Sequence, residues 1–182
     1  MTKQENKDFS FTPMIDIPLG FWEFKLKELD YNYWVNQVYE YIKYNPKSEN
    51  ISNEGGYQSQ TNIQNEYTFF PLVNLLLEKI KLLNGNSNIK IFEMWINISK
   101  TGDFNHPHSH GYPNDHFQSG VLYLKTPLNC GNIVFLNPLD TNKSKHIEPK
   151  EKDLVIFPNI MSHYVTPNQS KEERISISFN YG

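Results

Sequence analysis

The sequence predicts a mostly β fold of jelly-roll type, in which two helices buttress an antiparallel β sandwich. Two segments of the first half show the three- and four-residue spacing of apolar residues that is typical of amphipathic helices. The second half, after Asn88, consists of short apolar segments separated by turn residues, as in all-β sandwiches and barrels. A length of 182 residues is enough for one domain with a hydrophobic core. We expect this single domain to span residues 1–182.

Composition narrows the class of protein. Apolar residues make up 38% of the chain and aromatic residues 14%, which is too rich for a disordered protein. A formal charge of -3 provides no excess of positive charge to attract a phosphate backbone, so we expect no nucleic-acid binding. No segment approaches the run of about 18 apolar residues that a membrane span needs. The single cysteine, Cys130, and the lack of a signal-peptide core at the N-terminus predict a cytoplasmic location.

The N-terminal half is predicted to supply an edge strand and two helices. Residues 1–10 are polar and expected to be flexible, and residues 11–18 are predicted as an edge strand because they contain two prolines. The apolar spacing predicts helices over 30–44 and 69–83. Residues 47–65 are rich in Ser, Asn, Gln and Gly, which predicts a surface loop between the two helices.

The C-terminal half, residues 89–182, is predicted to form the β core. Five segments have strand character: 89–98, 120–124, 132–136, 153–157 and 174–179. In the last of these, Ile and Ser alternate after Arg174. Because strand side chains alternate between two faces, Arg174 and Ser176 would face inward, away from Ile175 and Ile177.

A histidine cluster marks the candidate site. His108 and His110 are two residues apart, so on an extended strand both side chains would point to the same side and could bind one metal ion. A third ligand from a distant strand, for which His163 is the candidate, would leave positions open for substrate and oxygen, as a catalytic metal requires. The pair His106 and His108 is a second possible register. The alternative is that these histidines lie in an exposed loop that binds metal only adventitiously.

The order of motifs in the second half carries a resemblance. The motifs are His108-x-His110, Ser119–Leu124, Cys130–Phe135, Asp153–Pro158, His163–Pro167 and Arg174–Asn180. This order resembles the 2-oxoglutarate and Fe(II)-dependent oxygenases, in the branch that includes prolyl hydroxylases and among its small microbial and phage-type members. The resemblance runs from about Trp95 to Asn180. It implies a double-stranded β-helix, a cupin-like jelly roll, that holds one Fe(II) ion and uses 2-oxoglutarate as cosubstrate.

The resemblance also implies a set of metal ligands, with one departure from the pattern. His108, His110 and His163 would hold the iron, but most of the family has a carboxylate where this chain has His110. Asp115 is a rival for that second position, provided that the loop after Gly111 turns back toward the metal. We prefer His110 because its interval to the strand that begins near Gly120 matches that of similar enzymes.

The cosubstrate residues follow from the same resemblance. Arg174 lies eleven residues beyond the distal histidine and would bind the far carboxylate of 2-oxoglutarate. Ser176 on the same strand face and Tyr123 would add hydrogen bonds to it. Asn97 and Asn180 are implied as further residues of the pocket. Without the resemblance, Tyr123 would be interpreted as a core aromatic residue, and Arg174 as one half of a surface ion pair.

The implied activity is that of a dioxygenase. Such an oxidoreductase, or hydroxylase, consumes O2 and 2-oxoglutarate, hydroxylates a small-molecule or peptidyl substrate and releases succinate and CO2. The sequence does not identify that substrate. One alternative is a cupin-like module that binds a metal or a small molecule without turnover, and another is an inactive structural relative.

Overall fold

The computed structural model describes residues 9–13, 20–85, 88–111 and 117–182. The α-helices found there are α1 (Tyr31–Tyr44) and α2 (Phe70–Asn84). The strands are β1 (Phe9–Pro13), β2 (Gly20–Lys25), β3 (Asn53–Glu54), β4 (Tyr57–Gln58), β5 (Ile91–Ser99), β6 (Phe104–His108), β7 (Gln118–Lys125), β8 (Ile133–Phe135), β9 (Lys145–Ile147), β10 (Asp153–Pro158), β11 (His163–Val165) and β12 (Arg174–Tyr181).

These strands form two sheets that pack against each other. The larger sheet has the order β1-β2-β10-β7-β12-β5-β4, and the smaller has the order β3-β6-β11-β8-β9. All the pairings within the two sheets are antiparallel. Residues from both sheets share one apolar cluster: Phe21, Val121, Tyr123, Ile133, Phe135, Val155, Phe157 and Met161. The predicted jelly-roll class, mostly β with two helices, is confirmed.

The two helices cover the outer face of the larger sheet. Their buried side chains are Trp34 and Val38 on α1 and Leu72, Leu76 and Ile80 on α2. They share a second apolar cluster with sheet residues that include Met94, Ile96, Leu122, Ile177 and Phe179. The larger sheet is therefore buried on both faces, against helices on one side and the smaller sheet on the other. No helix in the described part of the chain is long and apolar enough to cross a membrane.

The predicted regular elements are close to those observed. Both helices begin and end within one residue of their predicted bounds, and the five predicted strands occur as β5, β7, β8, β10 and β12. The Asp30 side chain accepts a hydrogen bond from the Tyr33 backbone N–H at 3.1 Å, which caps α1. Gly85, with φ of 61°, ends α2 in the left-handed conformation that favours glycine.

The predicted surface loop over residues 47–65 was only partly right. The segment contains β3 and β4, which add an edge strand to each sheet, and Ile63 within it is fully buried. Strands of two residues have no periodicity that a sequence pattern can reveal, which explains why they were not predicted. Of the predicted edge strand over 11–18, the part to Pro13 belongs to β1, and residues 14–19 lie outside the described ranges, as do residues 1–8.

Candidate metal and cosubstrate site

Two neighbouring strands of the smaller sheet bring the predicted metal ligands together. His108 at the end of β6 is paired with His163 at the start of β11, and their ring centroids are 4.4 Å apart. The ring of His110 stacks on that of His108, with a centroid distance of 5.2 Å and an interplanar angle of 16°. One potential ligand atom from each of the three imidazoles lies within 4.8 Å of the other two.

The sequence analysis explained the closeness of His108 and His110 by alternation along one strand, and this explanation was wrong in one respect. Strand β6 ends at His108, and His110 lies two residues beyond it in a bend rather than on the strand. The backbone N–H of His110 donates a hydrogen bond to the Asn159 carbonyl oxygen at 2.9 Å, which holds the bend in place. Position 110 therefore depends on a contact with another segment, not on strand alternation.

The rival ligands have different outcomes. His106 is exposed, and its Nε2 lies 3.4 Å from Oε2 of Glu54, outside the three-histidine cluster. The structure therefore gives no support to the register that pairs His106 with His108. Asp115 lies outside the residues that the structure describes, so its rivalry with His110 stays a prediction.

Hydrogen bonds at Nδ1 fix how the histidines face one another. Nδ1 of His108 lies 2.7 Å from the His106 carbonyl oxygen, and Nδ1 of His163 lies 2.8 Å from the Met161 carbonyl oxygen. A carbonyl oxygen can only accept, so each Nδ1 carries the proton and each Nε2 keeps its lone pair. Nδ1 of His110 is likewise 2.9 Å from Oδ1 of Asn180. Three imidazole lone pairs fit a divalent first-row metal ion such as Fe(II).

Burial keeps these imidazoles neutral. Desolvation lowers the pKa of His108, lowers that of His110 to about 4, and lowers that of His163 well below its usual value. The hydrogen bond from His110 to Asn180 acts in the opposite direction but is weaker than the effect of burial on that pKa. At neutral pH all three side chains are therefore in the neutral form, which keeps one ring nitrogen free to bind metal.

A second group of predicted residues lies on the inner face of the larger sheet. Arg174, the first residue of β12, is only 3% exposed, and its guanidinium donates a hydrogen bond to the Cys130 carbonyl oxygen at 3.2 Å. Burial lowers its pKa, yet arginine keeps its proton in proteins. Within the described ranges no carboxylate lies at ion-pair distance from Arg174, so this is a buried cation that lacks an anion.

Ser176 is the centre of a polar row across three strands. It lies opposite Tyr123 on β7 and opposite Asn97 on β5. Burial raises the pKa of the Tyr123 hydroxyl above its usual value, so this hydroxyl remains a donor at neutral pH. The Asn97 amide donates a hydrogen bond to the Ser178 hydroxyl at 3.1 Å. Together with Arg174, these groups form a donor-rich wall suited to a carboxylate.

One cavity of about 280 Å³ between the two sheets contains both groups. All the predicted site residues in the described ranges line it: Asn97, His108, His110, Tyr123, His163, Arg174, Ser176 and Asn180. The sequence did not assign Glu93 and Trp95, which also line the cavity, to the site. Their alternation with the helix-facing Met94 and Ile96 on β5 is the signal that could have identified them.

Comparison with known proteins decides the family. Residues 93–180 match the family model described as "Putative 2OG-Fe(II) oxygenase", a range that includes the three histidines and Arg174. Over these residues the chain matches the family of 2-oxoglutarate and Fe(II)-dependent oxygenases. This family assignment favours an enzyme over a cupin-like module without turnover. No curated protein matches the chain.

Solved structures share the fold of this chain at low sequence identity. The 2-oxoglutarate complex of viral collagen prolyl hydroxylase from Paramecium bursaria Chlorella virus 1 is 16% identical, with a TM-score of 0.65 over 89% of this chain and 96% of that chain. A prolyl-4-hydroxylase from Pseudomonas putida is 16% identical, with a TM-score of 0.63 over 96% and 91%. HygX from Streptomyces hygroscopicus, with nickel and 2-oxoglutarate bound, is 9% identical, with a TM-score of 0.68 over 90% and 83%.

Proposed function

We propose that this oxygenase hydroxylates a C–H bond of a small-molecule or peptidyl substrate. One oxygen atom of O2 enters the product and the other enters succinate, which is released with CO2. The observation that carries the proposal is the presence, in one cavity, of three imidazole lone pairs and a buried arginine that has no carboxylate partner among the described residues. The chain would act as a single domain, with residues 89–182 as the metal-binding β core, and a cytoplasmic location suits its single cysteine.

His108, His110 and His163 are the proposed iron ligands. When bound, the iron supplies the redox chemistry by which O2 oxidises both 2-oxoglutarate and substrate. The histidines contribute order, because the hydrogen bonds of His108 and His163 to backbone carbonyls hold the ring orientations in advance. The apolar rings of Phe157 and Phe135 lie 4.8 and 5.8 Å from the His163 ring and keep water from that side.

Arg174, Ser176 and Tyr123 are the proposed partners of 2-oxoglutarate. The guanidinium supports a bidentate pair with the far carboxylate, and the two hydroxyls add donors to the same group. Asn97, next to Ser176 across the sheet, completes the polar wall. Because Arg174 is buried, its pair with the carboxylate forms in a site of low dielectric, where the attraction is stronger than in water.

The remaining space limits the substrate. A cavity of about 280 Å³ is small beside ordinary ligand pockets, and the cosubstrate would occupy part of it. We infer that only a small group, such as one side chain of a peptide or a small metabolite, enters beside the metal. Ile51 and Gln58 line this space, so the segment between the two helices is the proposed specificity element.

An anaerobic titration tests the proposed function. Purified protein would receive Fe(II) and then 2-oxoglutarate, and a visible metal-to-ligand charge-transfer band is expected. Admission of O2 should then consume the band and produce succinate, measured by mass spectrometry. Metal binding with neither band nor succinate would instead support the binding module. Arg174→Met should lose the band at 2-oxoglutarate concentrations that saturate the natural chain, whereas Lys145→Met, an exposed control, should retain it.

A further inference from the structure

We propose that Glu93, acting through Asn180, is a positioning residue that fixes the tautomer of His110 and supplies negative charge to a metal site built from three neutral imidazoles. This inference rests on the proposed function, because it concerns how the same site holds its metal. It explains how the site can work with a histidine at position 110. Four side chains carry it: Glu93, Ser119, His110 and Asn180.

These side chains meet through one row of the larger sheet. Asn180 on β12 lies opposite Glu93 on β5 and opposite Ser119 on β7. Its amide nitrogen is 2.6 Å from Oε2 of Glu93, and its Oδ1 is 2.7 Å from the Ser119 hydroxyl. Nδ1 of His110 is 2.9 Å from the same Oδ1 and 3.1 Å from the Ser119 hydroxyl. The sheet register thus places a carboxylate one amide group away from a metal ligand.

Donor and acceptor rules give this row a single direction. A carboxylate can only accept, so the amide N–H of Asn180 must face Glu93. The amide oxygen then faces His110, and because it too can only accept, Nδ1 of His110 must carry the proton. Nε2 of His110 consequently keeps its lone pair, in common with His108 and His163. The charge of Glu93 therefore determines the orientation of the Asn180 amide and, through that amide, the tautomer of His110.

The charge balance of the cavity gives Glu93 a second role. Among the described lining residues, Glu93 and Arg174 alone carry charged side chains at neutral pH. The two charges of Fe(II) and the two of 2-oxoglutarate cancel, which would leave the cavity positive through Arg174. No cation in the described part of the chain lies at ion-pair distance from Glu93. The negative charge of its carboxylate can therefore balance the excess positive charge of the cavity.

Metal affinity, measured without turnover or substrate, tests the proposal. Co(II), a stand-in for Fe(II) that does not oxidise readily, would be titrated against a chromophoric chelator. Glu93→Gln keeps the shape of the side chain but removes its charge, and should weaken metal binding by ten- to a hundredfold. The matched control is Glu78→Gln, whose exposed side chain on α2 is outside the cavity, and it should leave the affinity unchanged. An unchanged affinity in Glu93→Gln would overturn the proposal.

A second background separates this role from a structural or substrate-binding one. His110→Asp places an anionic ligand at the metal. In that background Glu93→Gln should therefore weaken Co(II) binding by less than threefold. An equal loss in both backgrounds would mean that Glu93 acts only through the fold. A loss confined to the KM of a cationic substrate would make Glu93 a substrate anchor. Either result would contradict the proposal.

A spectroscopic measurement on the natural chain needs no variant. Nitrogen-15 NMR of the metal-free protein should show His110 protonated at Nδ1, and a signal for Nε2–H would refute the assigned direction of hydrogen bonding. Melting curves of the metal-free variants would show whether each one folds. Failure of the natural chain to bind Co(II) would count against the proposed function, while the NMR result would still decide the tautomer.

Discussion

At the scale of single residues, Arg174 combines burial, positive charge and the lack of a carboxylate partner in the described residues. A buried cation is costly unless an anion accompanies it, and the proposed binding of a dianionic cosubstrate would offset that cost. The hydrogen bond from Arg174 to the Cys130 carbonyl oxygen holds the guanidinium in place without neutralising it. Affinity for 2-oxoglutarate should therefore depend strongly on this side chain.

Substitution of Arg174 gives the first prediction. Arg174→Gln should weaken binding of 2-oxoglutarate to the metal-loaded protein by about 2 to 5 kcal/mol, because one partner of a buried charged pair is lost. Anaerobic calorimetry measures this change. Lys125→Gln, at a site that pairs with Glu172 at 3.3 Å outside the cavity, is the control and should bind normally. Equal affinities in the two variants would remove Arg174 from the cosubstrate site.

The buried histidines give a prediction about pH. Burial lowers the pKa of His110 from 6.5 to about 4 in the folded protein, so between these values the unfolded chain binds more protons than the folded one. Stability must then rise with pH across this window. The free energy of unfolding of the metal-free protein, from urea titrations with a chelator present, should fall as the pH is lowered from 6.5 toward 4.

A pair of variants isolates that effect. His110→Gln should reduce the slope of unfolding free energy against pH, because one group that titrates differently in the two states is gone. Asn142→Ala, at an exposed residue that does not titrate, should leave the slope as it is in the natural chain. The same slope in both variants would show that carboxylates rather than His110 control stability in this window.

At the scale of elements, β12 serves as the platform of the site. Its inner face presents Arg174, Ser176, Ser178 and Asn180 to the cavity, two residues apart. The alternate residues, among them Ile175 and Ile177, pack against the helix side and are fully buried. Strand alternation therefore holds the polar groups in fixed order, with Arg174 and Asn180 about 20 Å apart along the strand.

Close packing between β7 and β12 gives a prediction at this scale. Gly120 lies opposite Phe179, and a Cβ added at position 120 would lie only 2.3 Å from Cζ of that ring. Gly120→Ala should therefore lower the unfolding free energy by about 1 to 3 kcal/mol, as other overpacked cores do. Urea unfolding monitored by circular dichroism provides the value.

A double variant tests the cause of that loss. Phe179→Leu removes the end of the ring and should itself destabilise the core through a cavity. Adding Gly120→Ala to that variant should cost clearly less than it does in the natural chain, because the obstructing atoms are absent. Strictly additive losses would show that the clash with Phe179 is not the reason for glycine at position 120.

At the scale of the whole molecule, metal and cosubstrate binding are coupled to folding. The proposed metal ligands come from the smaller sheet and the bend after β6, and the proposed cosubstrate residues come from the larger sheet. Both sets exist together only in the folded chain, so ligands that bind them stabilise the fold. At a concentration 100 times Kd, a ligand of this kind adds about 2.7 kcal/mol to the unfolding free energy.

A double substitution gives the corresponding prediction. In the natural chain, Co(II) followed by 2-oxoglutarate should raise the melting temperature in two steps. His108→Ala combined with His163→Ala should abolish both the metal step and the succinate formed with Fe(II) and O2. His146→Ala, at an exposed histidine, is the control and should keep both. Continued turnover in the double variant would exclude these residues from the mechanism.

The sequence by itself determined the class of fold and most of the chemical groups of the site. Apolar spacing predicts α1 and α2 to within a residue because the period of a helix is recorded in consecutive residues. The alternation of Ile and Ser after Arg174 likewise predicts the inward face of β12. The motif order from His108 to Asn180 predicts the family that the family model confirms.

Only the tertiary structure decided how these groups meet. The pairing of His163 with His108 and the bend that places His110 depend on contacts between segments far apart in the chain. The row that joins Glu93, Asn180 and Ser119 depends on the register of three strands. Local periodicity shows which face a residue occupies, but it contains no information on which distant residue will lie opposite, because that is set by packing across the whole sheet.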